Sequence, residues 1–238
     1  MGITRGPNIV TDGLMFAVDA ANPSSYVSGS TIWKDQTVNQ NDGTLTNGPT
    51  FDSGNGGSIV FDGTNDWVDC GNNTITKPSG PMTIEYWFKG KSASSNATTS
   101  GTTGASGQRG YMLAVNNGTA FYFVIASNST TVKTLSHTLT FDHTQWYHFA
   151  GVYNPSTYMR IFINGNQVAE TTSGVASSQY TGNSNTLKIG SRGDNTAYGV
   201  FDGNIASYKL YHKSLSPTEV LQNYNALKGR FGLWNLAA

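Results

Sequence analysis

Ten short runs with strand character are spread along almost the whole chain, and they limit what it can fold into more than any other feature. They are Gly13–Asp19, Ser58–Phe61, Thr83–Lys89, Tyr111–Val115, Ala120–Ala126, Trp146–Tyr153, Tyr158–Asn164, Gln167–Thr171, Thr186–Gly190 and Ile205–Tyr211. Each is alternating or β-branched and is bounded by Gly, Asn or Asp, which accept the backbone angles of tight turns. Runs at this spacing favour two packed antiparallel sheets over any α/β arrangement. In Thr83–Lys89, the residues Ile84, Tyr86 and Phe88 share one face, and Thr83, Glu85, Trp87 and Lys89 share the other, because successive strand residues point to opposite sides. The first face is expected in the core and the second mainly in water, with Trp87 the odd member.

The punctuation adds detail. Asn164-Gly165 separates Met159–Ile163 from Gln167–Ala169. Asn-Gly tolerates positive φ at both central positions of a type I′ turn, so a tight hairpin is predicted there. Asn116-Asn117-Gly118 predicts a looser hairpin between Tyr111–Val115 and Ala120–Ala126. One helix is expected: Ser216-Pro217-Thr218-Glu219 reads as N-cap, N1 proline and N3 glutamate, a capping box. Val220, Leu221, Tyr224 and Leu227 then share a stripe and Gly229 supplies the stop. Such a helix would close one end of the sandwich. Gly90–Gly110 is of low complexity and holds no large apolar residue. A flexible insert is expected there, or a segment that orders against a partner. The chain therefore divides into an N-terminal arm (residues 1–12), a sandwich (13–229, with the insert at 90–110) and a C-terminal tail (230–238). The large apolar residues of the tail either fold back on the sandwich or dock on another subunit.

Composition narrows the function classes. Lys plus Arg and Asp plus Glu are 14 each, giving a formal net charge of zero, and the basic residues are scattered. Nucleic-acid binders present a basic stripe, so no nucleic-acid partner is expected. No stretch approaches the roughly 18 apolar residues needed to span a bilayer, so no membrane insertion is expected. Met1–Pro7 contains no apolar core of a secretory signal. Cys70 is the single cysteine, which excludes an intrachain disulfide and suits a small buried thiol.

A longer constellation is more specific. Trp33-Lys34-Asp35-Gln36 leads through Asn39-Gln40-Asn41-Asp42-Gly43 to Gly57-Ser58-Ile59-Val60-Phe61-Asp62-Gly63-Thr64-Asn65-Asp66-Trp67-Val68. Met82–Trp87, Trp146–Tyr153, Ile161–Gly165 and Phe201-Asp202-Gly203-Asn204-Ile205 through Ser216 follow in order. From about Gly13 to Gly229 the chain resembles the laminin-G-like, concanavalin-A-like modules. That resemblance implies an all-β fold, a two-sheet antiparallel jelly-roll sandwich with one short C-terminal helix. Gly6–Leu14, Val18–Tyr26 and Ala226–Leu233 are in addition similar to structural proteins of marine tailed bacteriophages. This second likeness implies a virion structural or decoration protein, made in the host cytoplasm, with other virion proteins as partners and multimeric on the particle.

Relatives with this sandwich include retaining glucanases, whose chemistry needs two carboxylates about 5–5.5 Å apart. The only glutamates are Glu85, Glu170 and Glu219, and none has a second acid two or four residues away. Asp62, Asp66 and Asp69 are clustered but read as a turn. His137, His143, His148 and His212 lack metal-ligand spacing, and His148 reads as structural. No catalytic residue is assigned. Calcium is the candidate cofactor, because Asp35, Asn39, Asn41 and Asp42 crowd oxygens into one loop and laminin-G-like relatives often hold calcium. Asp35, Asn41 and Asp42 are the candidate ligands. The family's acidic residue after Phe-Asp-Gly-x-Ile is missing, since Ala206 and Ser207 follow Ile205, and an Asx-rich turn satisfied by its own backbone is the alternative. The competitor to an architectural role is a host-glycan-binding adhesin or carbohydrate-binding module. Its candidate site is the loop Asn183–Tyr198, with Asp194, Asn195 and Tyr198 as candidate ligand residues. Trp67, Trp87, Tyr122, Tyr158 and Tyr180 are further aromatic platforms.

Overall fold

A computed structural model of the chain describes residues 7–91, 96–116, 119–194 and 199–233. Among these residues the strands are β1 (Leu14–Asp19), β2 (Ile32–Trp33), β3 (Gly43–Thr46), β4 (Thr50–Asp52), β5 (Ser58–Asp62), β6 (Trp67–Asp69), β7 (Met82–Gly90) and β8 (Asn96–Gly101). They continue with β9 (Tyr111–Asn116), β10 (Ala120–Ala126), β11 (Val132–Thr138), β12 (Tyr147–Asn154), β13 (Tyr158–Ile163), β14 (Asn166–Thr171), β15 (Lys188–Ile189) and β16 (Asp202–Tyr211). One helix, α1 (Pro217–Leu227), follows the last strand. The first sheet has the order β14-β13-β12-β7-β16-β5-β4, with β1 also paired to β16; the second has the order β11-β10-β9-β8-β15-β6-β3-β2. Neighbouring strands in both sheets are antiparallel, as a jelly-roll sandwich requires.

Alternation puts Ile84, Tyr86 and Phe88 of β7 into the space between the sheets, where they meet Phe121, Phe123 and Leu113 of the second sheet. Phe88 and Phe121 meet edge-on at 6.2 Å between ring centroids, and Phe121 and Phe149 at 4.7 Å. The sheets come so close at Gly151 that a Cβ there would lie 2.9 Å from the Phe123 ring. The 164–165 hairpin forms as expected, with φ of 51° at Asn164 and 79° at Gly165. β9 and β10 also pair as a hairpin, while its turn residues Asn117 and Gly118 lie outside the described residues.

Three expectations are corrected. The second face of β7 is not wet: Thr83, Glu85 and Trp87 are fully buried. The helix does not close an end of the sandwich but lies across the outer face of the first sheet. Apolar residues already line that face, and Val220 packs there with Ala150, Val152, Phe162 and Tyr211. The capping box at Ser216 and Glu219 forms, yet Leu221 of the expected stripe is exposed and Asn223 is buried in its place. The chain also does not stop at Gly229. It tightens into a 3-10 turn over Lys228–Phe231 and ends at Gly232 with φ 74°. That extra turn carries Phe231 onto Trp87, stacked at 4.3 Å, and against Trp146 at 4.7 Å. Leu233 is buried beside them. The described part of the tail thus folds back, while residues 234–238 lie outside the described residues.

Third, the low-complexity insert contributes β8, paired with both β9 and β15. Strand pairing needs backbone groups rather than large side chains, and hydroxyls complete it: Thr102 Oγ1 accepts from the Tyr111 amide at 3.3 Å. The N-terminal arm is held too, since the Val10 amide donates to Asn223 Oδ1 at 2.7 Å and Tyr211 Oη donates to the Val10 carbonyl at 3.0 Å. Cys70 is buried, and burial pushes its thiol well above the ordinary range.

Beneath α1 lies a buried polar network. Glu85 accepts from Lys209 Nζ at 2.9 Å and from Asn223 Nδ2 at 3.0 Å, and His148 Nε2 stands 3.6 Å from its other flank. Burial alone would raise the Glu85 pKa, but the Lys209 ammonium, aided by His148, outweighs it and brings the value from 4.5 to about 2. A carboxyl whose folded pKa is depressed stabilises the fold above its unfolded value and loses that contribution as pH falls through the folded one. Between pH 4.5 and 2, therefore, Glu85 drives acid destabilisation. Glu85→Gln is expected to cost about 3–5 kcal/mol at neutral pH, because it strands the buried Lys209 cation. It should also flatten the loss of stability in that acid window, as read from urea midpoints against pH. Truncation after Gly229 is expected to lower stability by roughly 3–6 kcal/mol, since Phe231 and Leu233 each bury a large apolar side chain. A truncated chain with an unchanged thermal midpoint would show that these contacts contribute nothing.

Candidate functional site

Strands β3, β6, β8 and β15 begin or end together, because Thr44 and Lys188 both pair with Asp69, and Gly101 pairs with Lys188. Their loops gather at that end of the sandwich. There a groove of about 710 Å³ opens, walled by Met15, Asn72–Ile75, Lys77–Pro81, Thr181 and His212. This lies within the several-hundred-Å³ range usual for small-ligand sites. Its lining is mostly amides, hydroxyls and proline rings, and no carboxylate belongs to it.

The walls are held by named hydrogen bonds. Asn73 Oδ1 accepts from the Ile75 and Thr76 amides at 3.0 and 3.2 Å, an Asx turn that fixes the loop. Asn72 Nδ2 donates to the Ser184 carbonyl at 2.9 Å, and His212 Nε2 donates to the Ile75 carbonyl at 2.8 Å. Thr76 Oγ1 donates to the Asn73 carbonyl at 3.1 Å, and Tyr111 Oη donates to the Thr76 carbonyl at 2.7 Å. Lys77, 6% exposed, donates through Nζ to the Asn183 carbonyl at 2.5 Å. None of these residues was singled out from the sequence as a ligand residue. The available signal was the strand-free stretch Thr76-Lys77-Pro78-Ser79-Gly80-Pro81 between two strand runs.

Asp35, Asn41 and Asp42 come together in one loop beside this groove. Asn41 Nδ2 donates to the Cys70 carbonyl at 2.8 Å, and Asn41 Oδ1 accepts from Asn73 Nδ2. The next residues brace Met15, whose carbonyl accepts from Asn39 Nδ2 at 2.7 Å, with Thr37 Oγ1 3.1 Å away. Calcium would need six to eight oxygens turned toward one point. Here the Asp35 carboxylate accepts from the amides of Ala17, Thr37 and Asn41, each at 3.0 Å, and from Thr37 Oγ1 at 2.7 Å. Asp42 Oδ1 accepts from the Asp35 amide at 2.9 Å. Among the described residues, no group of three or more His, Cys, Asp or Glu side chains could hold a metal ion. The Asp35 carboxylate and Asp42 Oδ1 thus accept from amides and a hydroxyl of the loop and from the Ala17 amide of β1.

The other sequence candidates sit elsewhere. Asn195 and Tyr198 lie outside the described residues. Asp194 does not line the groove; it accepts from the Ala105 amide at 2.9 Å and pairs with Arg192 at 2.6 Å. Lys188, lowered by burial and raised in part by Asp69 and Asp194, stands 4.0 Å over the Trp67 ring. Trp87 is buried under the helix segment and is no platform. Asp62 and Asp66 face each other within the turn they form: Asp66 accepts from the Asp62 amide at 3.1 Å, and burial together with the Asp62 charge raises its pKa.

This geometry is a rigid sandwich that presents polar loops at one end. A family model for the concanavalin A-like lectin/glucanase superfamily, Laminin_G_3, matches residues 62–221. The chain belongs to this superfamily. No curated protein sequence matches the chain. Among solved structures, the binding domain of Paraclostridial Mosquitocidal Protein 1 is similar at 13% identity and a TM-score of 0.67, covering 90% of this chain and 52% of that one. The receptor-binding domain of botulinum neurotoxin C/D mosaic serotype is similar at 14% identity and a TM-score of 0.67, covering 90% and 51%. The superfamily member thus spans about half the length of those chains. The Ruminococcus gnavus IT-sialidase CBM40, solved bound to alpha2,3 sialyllactose, is similar at 16% identity and a TM-score of 0.58, covering 69% of this chain and 94% of that one. At such identities these likenesses report the fold.

Calcium titrated into the purified chain is expected to leave its thermal midpoint unchanged, with or without a chelator. Asp35→Ala is expected to lower stability by about 1.5–3 kcal/mol, since it orphans amides that now bond to a charge. A midpoint that rises with calcium and falls with chelator would return this loop to a metal role.

Proposed function

We propose that this superfamily member is a non-catalytic recognition module that holds a glycan in its end groove and is displayed on a bacteriophage particle. The observation that carries the glycan half is the groove itself: a preformed concavity with amides, hydroxyls and apolar rims, and no carboxylate in its lining. Sugars are recognised through such hydrogen-bonding groups, whereas glycoside hydrolysis needs two flanking carboxylates. The fold likeness to toxin binding domains and to a carbohydrate-binding module of a sialidase points the same way. The virion half rests on the likeness of Gly6–Leu14, Val18–Tyr26 and Ala226–Leu233 to phage structural proteins. Other virion proteins would then array many copies, and multivalency raises avidity without any new contact.

An array of host-surface glycans probed with multimerised chain is expected to give specific binding. Replacing Ser79 and Thr181, both exposed at the groove wall, by Ala should weaken it while the fold is retained. Silence across the array would favour a purely architectural role on the same scaffold, and release of sugar from any bound glycan would overturn the non-catalytic reading. Mass spectrometry of purified particles is expected to find the chain as a virion component; its absence would remove the phage half.

A further inference from the structure

One residue of the groove's lining, Lys77, carries a charge that no carboxylate among the described residues pairs with. It is more than nine-tenths buried, and its one hydrogen bond runs to the neutral carbonyl of Asn183. The contrast with Lys209 is instructive. That lysine is equally buried, but it lies 2.9 Å from Glu85, so its charge is matched within the fold. Burial lowers the Lys77 pKa, and no neighbouring charge acts in the opposite direction. A buried charge is costly unless something pairs with it. The rest of the wall is polar and, among the described residues, holds no acid: it carries His212, Asn72, Asn73 and the Thr181 and Ser79 hydroxyls. In a chain whose acids and bases are equal in number, a groove lined by Lys77 and His212 and by no acid is a selective feature.

We infer that the end groove is built for an anionic saccharide, one bearing a carboxylate or a sulfate ester, with Lys77 as the residue that matches its charge. This rests on the glycan-binding reading above and names the class of glycan. The apolar rims at Met15 and Pro81 would take the sugar ring faces, and the amides its hydroxyls. The anionic group would pair with Lys77 through a charge-assisted hydrogen bond.

Titration calorimetry on the full chain separates the possibilities. The probes are a uronate-terminated oligosaccharide, its sulfated counterpart, the same sugar with the carboxyl group reduced to the alcohol, and inorganic sulfate alone. A charged hydrogen bond contributes about 1.5–3 kcal/mol, so at least one anionic sugar should bind roughly tenfold or more tighter than the reduced one. The better of the two anionic probes identifies the group. Lys77→Met is expected to erase that preference and leave binding of the reduced sugar unchanged. Its thermal midpoint is expected to stay near that of the parent chain, because loss of the bond to the Asn183 carbonyl is offset by removal of an unmatched buried charge; a merely structural Lys77 would leave the preference intact. Thr181→Glu, a change at an exposed wall position, places an acid in the groove and should repel the anionic sugar selectively even if the Lys77 variant folds poorly. Equal binding of reduced and anionic sugars would overturn this inference and leave the glycan reading standing. An anionic preference that survives Lys77→Met would remove Lys77 from the role, and binding of inorganic sulfate without any sugar would make the groove an anion site only. Binding of none of the probes would count against both readings.

Discussion

Burial of β7 on both faces governs the rest of the structure. An antiparallel sheet commonly leaves one face to water, but here Ile84, Tyr86 and Phe88 fill the space between the sheets while Thr83, Glu85 and Trp87 are covered from outside. The inner face needs only apolar bulk, and the aromatic cluster around Phe121 and Phe149 provides it. The outer face contains a carboxylate, so its cover has to supply matching groups as well as bulk. Lys209 from the neighbouring strand and Asn223 from the helix match Glu85, and Tyr224 and Phe231 stack on Trp87. The position of α1, the 3-10 turn after it and the docking of Val10 all follow from that requirement.

With one flank closed by the helix, variation is left to the loops at the strand ends. The loops there are long relative to the strands they join, and they are stabilised by their own amides and hydroxyls rather than by apolar packing. Asp35 and Asn73 each act as local acceptors for several backbone amides. A wall made in this way is preorganised by its own hydrogen bonds, and preorganisation lowers the entropic cost of holding a ligand. The superfamily membership and the likeness to toxin binding domains and a carbohydrate-binding module fit a scaffold that is kept constant while its loops change.

Within that wall, polarity is divided unevenly. Several charges are paired within the fold, as Arg192 with Asp194 and Arg230 with Asp19, or buried in the network of Glu85. Lys77 departs from this pattern. Electrostatic complementarity contributes specificity more than raw affinity, so a single unmatched cation in an otherwise neutral groove suits discrimination between glycans that differ in charge.

Local pattern determined a good deal. Period-two alternation marked most of the strands, Asn164-Gly165 marked its hairpin through positive φ, and Ser216–Glu219 marked the helix start, because each depends on residues close in sequence. The motif from Trp33 to Val68 carried the superfamily likeness. Other features were decided only by contacts between distant segments. β8 has no apolar signature and exists because β9 and β15 offer it backbone partners. The helix covers a sheet face rather than an end because Ala150, Val152, Phe162 and Trp87 line that face. The groove is invisible in one dimension, since Met15, Lys77, Thr181 and His212 are far apart along the chain and meet only when antiparallel pairing brings their loops to the same end. Sequence sets what each segment prefers; tertiary packing decides which preferences can be met together and where an unmatched charge is left.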